Sequence, residues 1–491
     1  MKRRQLSIVA PGRSAKLGAM VSSKPSPLYR QLADRVEALI TDGSLRAGER
    51  IPSVRQFSRQ HQVSVPTAMQ AYVLLETRRL IEARPKSGFY VLPRLANALG
   101  EPRAARHTPA VSTLSRYGSM ISLMRDLTNP KLVPMGGAVP GPDLLPAEKL
   151  ARIGASLLRR QPAACNAYDP APGNAALRRE LSRRSLDWGC DLSADDFIIT
   201  TGASEALHLA LRAVASPGDT VLVESPAFYG LLNIIAQLKL KVVAVPAGPA
   251  GLDLDATATA LGRGRVAAIL VTPNFSNPLG ALMPEPARRE LLSLAARHRV
   301  PVIEDDVYGD LPHEGPRPRC LQALDTAGDV ILCGSFSKTL SPGLRIGYIV
   351  AGRRHDTVLA QKTAFTVGGA TLPSLIVAEF LRDGGYDRHL RKLRHTYRQQ
   401  VARMRDAIAE VFPADTRVSN PAGGFLLWLE LARGVDSLAL CDAARAAGIS
   451  IAPGPMFSPD GRFKNCLRLS CGFPWEERMA TALATLARMV K

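Results

Sequence analysis

The chain has 491 residues, 46% of them hydrophobic, which is too long for one simple domain and too apolar for wholesale disorder. No stretch reaches the roughly 20 consecutive apolar residues that a membrane helix needs. Seven irregularly spaced cysteines suit a reducing, cytoplasmic setting better than a disulfide framework. The net charge is +20, and residues 1–110, with 19 Lys or Arg against 7 Asp or Glu, carry +12 of it. That concentration is the footprint of a nucleic-acid module, although charge by itself equally fits generic solvated basic faces.

In chain order, residues 1–22 open on a basic Met1–Arg4 with no apolar stretch and cleavage site behind it, against a secretory signal. They read as a flexible basic arm. Residues 23–92 are patterned. Leu28, Tyr29, Leu32, Val36, Leu39 and Ile40 recur at helical spacing and predict one amphipathic helix ending near Asp42 and Gly43. Ser53, with Gln56 three residues on, makes a capping box that opens a second helix. Ser64 is an N-cap for a third, with Pro66 in its first turn, where a missing N–H costs little. On that helix Ala68, Ala71, Tyr72 and Leu75 form a buried stripe, and Thr67 and Gln70 point away from it, as residues contacting bases or phosphates must. Leu80–Arg84, a turn at Pro85–Gly88 and Phe89–Leu92 then form a hairpin with Arg84 and Lys86 near its tip. Three helices and a basic hairpin are the winged helix-turn-helix layout, whose third helix enters the major groove.

Residues 93–129, with Pro93, Pro102 and Pro109 and weak periodicity, read as a linker. From residue 130 to 491, short apolar runs at 196–200, 220–224, 266–271, 300–304 and 330–333 alternate with helical segments. This is the α/β pattern of a parallel sheet covered on both faces. Four motifs fall where strands end: Thr200–Glu205, Pro273–Gly280, Ile303–Tyr308 and Cys333–Tyr348. Open α/β sheets bind ligands at those ends. Lys338, flanked by small hydroxyl residues with Arg345 seven positions on, suits a Schiff-base amine beside a phosphate cradle. The Thr200–Glu205 turn offers helix N-terminal amides to a phosphate. Cys466 and Cys471 have no CxxC partner or histidine cluster, so they read as buried small hydrophobes rather than metal ligands.

The N-terminal module resembles the GntR-type regulators, matching that pattern at Ser26–Leu32, Gly43–Arg55, Val63, Ser64, Thr67, Ala71, Tyr72 and Ser87–Val91. The resemblance implies DNA contacts from Arg55, Ser64, Thr67 and the Lys86–Gly88 wing, to which the helix and hairpin geometry adds Gln70 and Arg84. Many such proteins carry Arg directly after the serine that opens the recognition helix. Here Val65 and Pro66 stand there, which removes one base contact and leaves phosphate contacts to dominate.

Residues 130–491 resemble the class I aminotransferases, which are fold-type I pyridoxal-phosphate enzymes. The resemblance implies a mainly parallel sheet with a small C-terminal α+β subdomain. It implies Lys338 as the lysine joined to the cofactor, Asp305 as the partner of its pyridine nitrogen, and Tyr308 and Asn277 on its phenolic oxygen. Ser335, Ser337 and Arg345, with the amides of Ala203 and Ser204, match the phosphate cup, and Phe228 matches the aromatic residue that stacks on the ring. Arg468 matches the arginine that forks onto a substrate carboxylate. Tyr168 matches a tyrosine that reaches the neighbouring subunit's phosphate, which implies a homodimer.

Both modules in one chain are similar to the MocR-type regulators. That resemblance implies a cytoplasmic, membrane-free regulator that binds pyridoxal 5′-phosphate and double-stranded DNA, and senses a cofactor form or an amine or amino acid. The intact residue set also fits a rival, a working aminotransferase that moves an amino group between an amino acid and a 2-oxo acid.

Overall fold

The computed structural model of the chain describes residues 27–42, 44–46, 48–78, 80–84, 87–92, 99–113 and 118–490. They fall into two compact units divided between Arg94 and Leu95. The expected basic arm, Lys86 and the side chain of Arg84 lie outside the described residues, as does Gly43 at the expected end of the first helix.

In the first unit, α1 (Leu28–Thr41), α2 (Val54–Gln60) and α3 (Val65–Thr77) precede a hairpin of β1 (Ile81–Arg84) and β2 (Gly88–Val91). Both serines cap their helices, Ser53 through the serine's half of the expected capping box. Ser53 Oγ accepts the Gln56 amide at 3.3 Å, and Ser64 Oγ accepts the Thr67 amide at 3.2 Å. Ala68, Ala71, Tyr72 and Leu75 on α3 are fully buried. Tyr72 joins the elements: its hydroxyl donates to the Pro52 carbonyl at 2.6 Å, and its ring meets Phe57 and Phe89 edge-on. The helical spacing of α1 overstates its buried face. Leu32, Ala33, Val36 and Ile40 enter the core, whereas Leu28 and Leu39 are exposed, because only one stripe of so short a helix meets α3.

In the second unit, β3 (Val111–Ser112), β4 (Phe197–Thr200), β5 (Thr220–Ser225), β6 (Lys241–Gly248), β7 (Ala268–Val271), β8 (Val302–Asp305), β9 (Val330–Ser335) and β10 (Gly347–Val350) lie in the spatial order β3-β6-β5-β7-β8-β9-β10-β4. The pairings from β6 to β9 are parallel. β10 runs antiparallel to both neighbours, and β3 is an antiparallel edge. Alternation along β5 sorts the core: Val221 and Val223 face α4 (Ala203–Val214), and Leu222 faces the helices Leu254–Arg263 and Glu285–His298. Helix α5 (His355–Thr366) follows the sheet. A four-stranded antiparallel sheet, which includes β11 (Leu426–Glu430) and β12 (Cys466–Ser470), then builds the C-terminal α+β part.

Part of the expected linker is integrated into this unit. Gly100 accepts the Val418 amide at 2.9 Å, the Arg103 amide donates to Glu430 at 2.8 Å, β3 pairs with β6, and Gly118–Asp126 is helical. An open sheet edge takes a strand partner, and two paired residues are too few to betray themselves by alternation.

Candidate functional site

Five strands of the large sheet end at one cavity. Ala203, Ser204 and Leu207 follow β4, Phe228 follows β5, and Thr272 and Asn277 follow β7. Asp305, Val307 and Tyr308 come from β8, and Ser335, Ser337, Lys338 and Arg345 from β9 and the return to β10. Ten residues separated by more than a hundred positions thus meet as the sequence motifs require. Thr272, Leu207 and Val307 were not singled out from sequence, although each sits beside a motif residue at a strand or helix end.

The cup at the N-terminus of α4 is built by close approach. Gly202 has φ +76°, and a Cβ there would stand 2.5 Å from the Arg345 guanidinium. Gly347 packs on Gly202 itself, where a Cβ would lie 2.6 Å from the Gly202 carbonyl carbon. Both glycines therefore let β10 and Arg345 press onto the turn. Arg345 donates to Ser337 Oγ at 3.3 Å and to the Thr201 carbonyl at 3.0 Å, and Ser335 Oγ donates to Ser337 Oγ at 2.9 Å. Two hydroxyls, a guanidinium and helix N-terminal amides converge there, which is anion-binding chemistry.

At the other end of the cavity lie the titrating groups. Lys338 Nζ donates to the Ala138 carbonyl at 2.6 Å. Burial, with Arg468 and Arg345 adding to it against Asp305, brings its pKa down to about 8. Burial, then Asp306, pushes Asp305 up to about 7 against the pull of Lys338. Asp305 Oδ1 is buried without a hydrogen-bond partner, and the Tyr308 hydroxyl is buried beside the Asn277 side chain. Arg468 is fully buried behind the cavity wall: it donates to Asn277 Oδ1 at 3.0 Å and to the Gly136 carbonyl, and its Nε is unpartnered. Tyr168 stands apart from this cavity and is 87% exposed.

On the first unit Arg55, Ser64 and Gln70 are exposed and Thr67 is half-buried. The Ser64 and Thr67 hydroxyls bond each other at 2.8 Å. Gly88 (φ +109°) is packed by Arg50, whose Nε would stand 3.1 Å from a Cβ there. Arg50, exposed beside the wing, joins the candidate DNA contacts; its place in the Gly43–Arg55 motif is the signal that marks it.

Among the described residues no helix is long and apolar enough to cross a membrane. The aminotransferase class I and II family matches residues 142–486, and the gntR family of bacterial regulatory proteins matches residues 28–91. The chain is 36% identical over 463 residues to the uncharacterized HTH-type transcriptional regulator YjiR of Escherichia coli (strain K12), covering 94% of this chain and 98% of that one. It is 33% identical over 377 residues to the 2-aminoadipate transaminase of Thermus thermophilus, covering 75% of this chain and 92% of that enzyme. The crystal structure of LysN, the α-aminoadipate aminotransferase of Thermus thermophilus complexed with N-(5′-phosphopyridoxyl)-L-leucine, matches with a TM-score of 0.72 at 30% identity, over 76% of this chain and 95% of that one. With a gntR-family module ahead of an aminotransferase fold, and a regulator of the same two-part length among its relatives, the chain belongs to the class I and II aminotransferase family in its MocR-type, transcription-regulator form.

Proposed function

We propose that this chain is a transcription regulator that holds pyridoxal 5′-phosphate and reads an amine or amino acid through it, changing how its winged helix-turn-helix engages double-stranded DNA. The observation that carries this is the single cavity joining Lys338, Asp305 and the Ser335–Ser337–Arg345 cup, in a chain whose other module is of the gntR family.

The residues fit the cofactor. Asp305 Oδ1 is buried without a hydrogen-bond partner and faces the cavity, where a polar atom of a ligand would satisfy it, and the Tyr308 hydroxyl lies beside the Asn277 side chain. The cup suits its phosphate, Asp305 its ring nitrogen, Tyr308 and Asn277 its phenolic oxygen, and Phe228 one face of its ring. When bound, the cofactor supplies an aldehyde that captures primary amines and a ring that draws electrons from them. Lys338, lowered to about 8, is partly neutral near physiological pH and so is a competent nucleophile. Arg468, held by Asn277 and the Gly136 carbonyl beside the cavity, is the group that would pair with a ligand carboxylate. Tyr168, exposed on one protomer, completes the partner's site in a homodimer, and two winged helices then span two half-sites of an operator. The setting is cytoplasmic. Ligand capture at Lys338 biases closure of the large unit, and differential affinity of the ligand for the two states drives the DNA response.

Purified protein is expected to be yellow, and Lys338→Ala colourless. A wild type that stays colourless with added pyridoxal phosphate overturns the cofactor assignment. A panel of amines and amino acids that leaves DNA affinity unchanged overturns the sensing assignment. The complete residue set and the 33% identity to a transaminase favour one second reading, amino-group transfer to a 2-oxo acid. Turnover at about 1 s⁻¹ or faster with an amino donor marks it.

A further inference from the structure

The first two turns of α3 present an outward face with no charged side chain: from Val65 to Leu75 the helix has no Lys, Arg, Asp or Glu. Val65 is 46% exposed and Met69, four residues on, is 44% exposed, so the two aliphatic side chains stand one above the other on the helix surface. They are not spare core. Ala68, Ala71, Tyr72 and Leu75 fill the opposite face completely. The Ser64 and Thr67 hydroxyls are bonded to each other, so of the outward side chains only the Gln70 amide is free of the cap to offer conventional hydrogen bonds. The same unit also exposes cations, Arg55 and Arg59 on α2, which packs on α3, and Arg50 against Gly88 of the wing. A neutral apolar ridge on a unit that also exposes guanidinium groups complements a major groove, where phosphates line the rims and base edges form the floor.

We propose that α3 reads thymine through its C5-methyl group, with Val65 and Met69 as the readers. The inference rests on the DNA-binding reading of this unit and names what that site recognises. An aliphatic side chain against guanine O6 and N7, adenine N6 or cytosine N4 strips water from a polar edge and returns no hydrogen bond, at a cost in affinity. The thymine methyl is the one apolar group on the major-groove floor. Val65 is stiff and fixes one position, and Met69 is flexible enough to fill the space beside the next base step. Selectivity at these positions is therefore for thymine over cytosine, and 5-methylcytosine, which carries the same methyl, is accepted in its place.

The test uses the full-length protein loaded with pyridoxal phosphate and a duplex it selects from a random-sequence pool, prepared with thymidine or with deoxyuridine, which lacks only the methyl. Each contacted methyl is expected to contribute about fourfold in affinity, so the uracil duplex binds about tenfold or more weakly at a two-half-site operator. In Val65→Ala/Met69→Ala the thymine-to-uracil ratio falls toward one while salt-sensitive binding to random DNA persists. Equal affinity of the wild type for both duplexes, with sequence-selective binding intact, overturns the inference and leaves the DNA-binding reading standing. No binding to either duplex or to random DNA at low salt overturns both.

Discussion

Lys362 on α5 donates to both carboxylate oxygens of Glu205, at 2.9 and 3.0 Å, in a pair that is almost wholly buried. Glu205 lies in the first turn of α4, one residue past Ser204 of the candidate phosphate cup, and also accepts the Thr201 amide. The lysine thus neutralises a carboxylate that would otherwise face an anion site, and ties α5 to the cup. Lys362→Met is expected to destabilise the protein by about 3–5 kcal/mol, because it leaves the carboxylate buried and unpaired. Lys362→Met/Glu205→Gln recovers most of that loss, as denaturant unfolding of the single and double variants would show.

A second expectation concerns pH. In the cofactor-free protein Asp305 is raised from 3.8 to about 7, so between those values the folded state holds more protons than the unfolded, and stability falls as pH rises. Lys338 is lowered from 10.5 to about 8, so between those values the folded state holds fewer, and stability rises with pH. Asp305→Asn is expected to lessen the lower slope, to which buried Glu224 and Glu304, each raised to about 8, also contribute, and Lys338→Met to take away the lysine's rising contribution above pH 8, in unfolding measured across the range. The rate at which cofactor-free protein takes up pyridoxal phosphate is expected to rise with an inflection near pH 8, where the neutral amine appears.

Gly202→Ala tests the cup. The added Cβ would meet the Arg345 guanidinium at 2.5 Å, at a backbone φ of +76° that L side chains rarely adopt. Arg345 has to swing out of the cup, at a backbone cost of roughly 1–3 kcal/mol besides. Pyridoxal phosphate titrated into the variant should bind at least about tenfold more weakly, since one charge-assisted contact to the phosphate is lost. Far-ultraviolet circular dichroism should stay unchanged.

The proposed homodimer can be tested at an exposed apolar patch. Tyr168 is 87%, Phe365 64% and Val367 55% exposed, and their segments are tied by antiparallel pairing of Asp169–Pro170 with Gly368–Gly369. Phe365→Arg places a charge where a second copy is expected to seat. Light scattering should show a shift toward monomer at micromolar protein, with loss of the partner's Tyr168 from each site weakening cofactor binding.

On the DNA side, Arg55 is exposed on α2 beside the recognition helix. Arg55→Ala is expected to weaken binding about equally on all sequences, and to lower the slope of log affinity against log salt by about one, the mark of a phosphate contact. A change confined to one base position would identify it as a base reader instead.

Some of this was legible residue by residue. Ser53 and Ser64 cap their helices because a hydroxyl before an apolar-periodic run has one good use there, and Lys338, Asp305 and Asn277 stand at strand ends because short apolar runs locate those ends. Other features carried no local signal. Leu28 and Leu39 share the spacing of the buried residues of α1 yet face outward, and residues 99–113 look like a linker yet bond to β6, Val418 and Glu430.

From the sequence come the two-part chain, the winged helix-turn-helix and the α/β class, since periodicity, caps and strand-end motifs are encoded within a few residues of one another, whereas the candidate cofactor residues rest on the family resemblance. Tertiary structure decided what depends on chain segments far apart. Glu205 meets Lys362 across 157 positions, Arg468 is held by Asn277 across 191, and Val65 and Met69 are left bare because the core of the first unit closes without them. Burial and pairing are properties of the packed whole: the same lysine or valine has a different energy on either side of a surface that only folding draws.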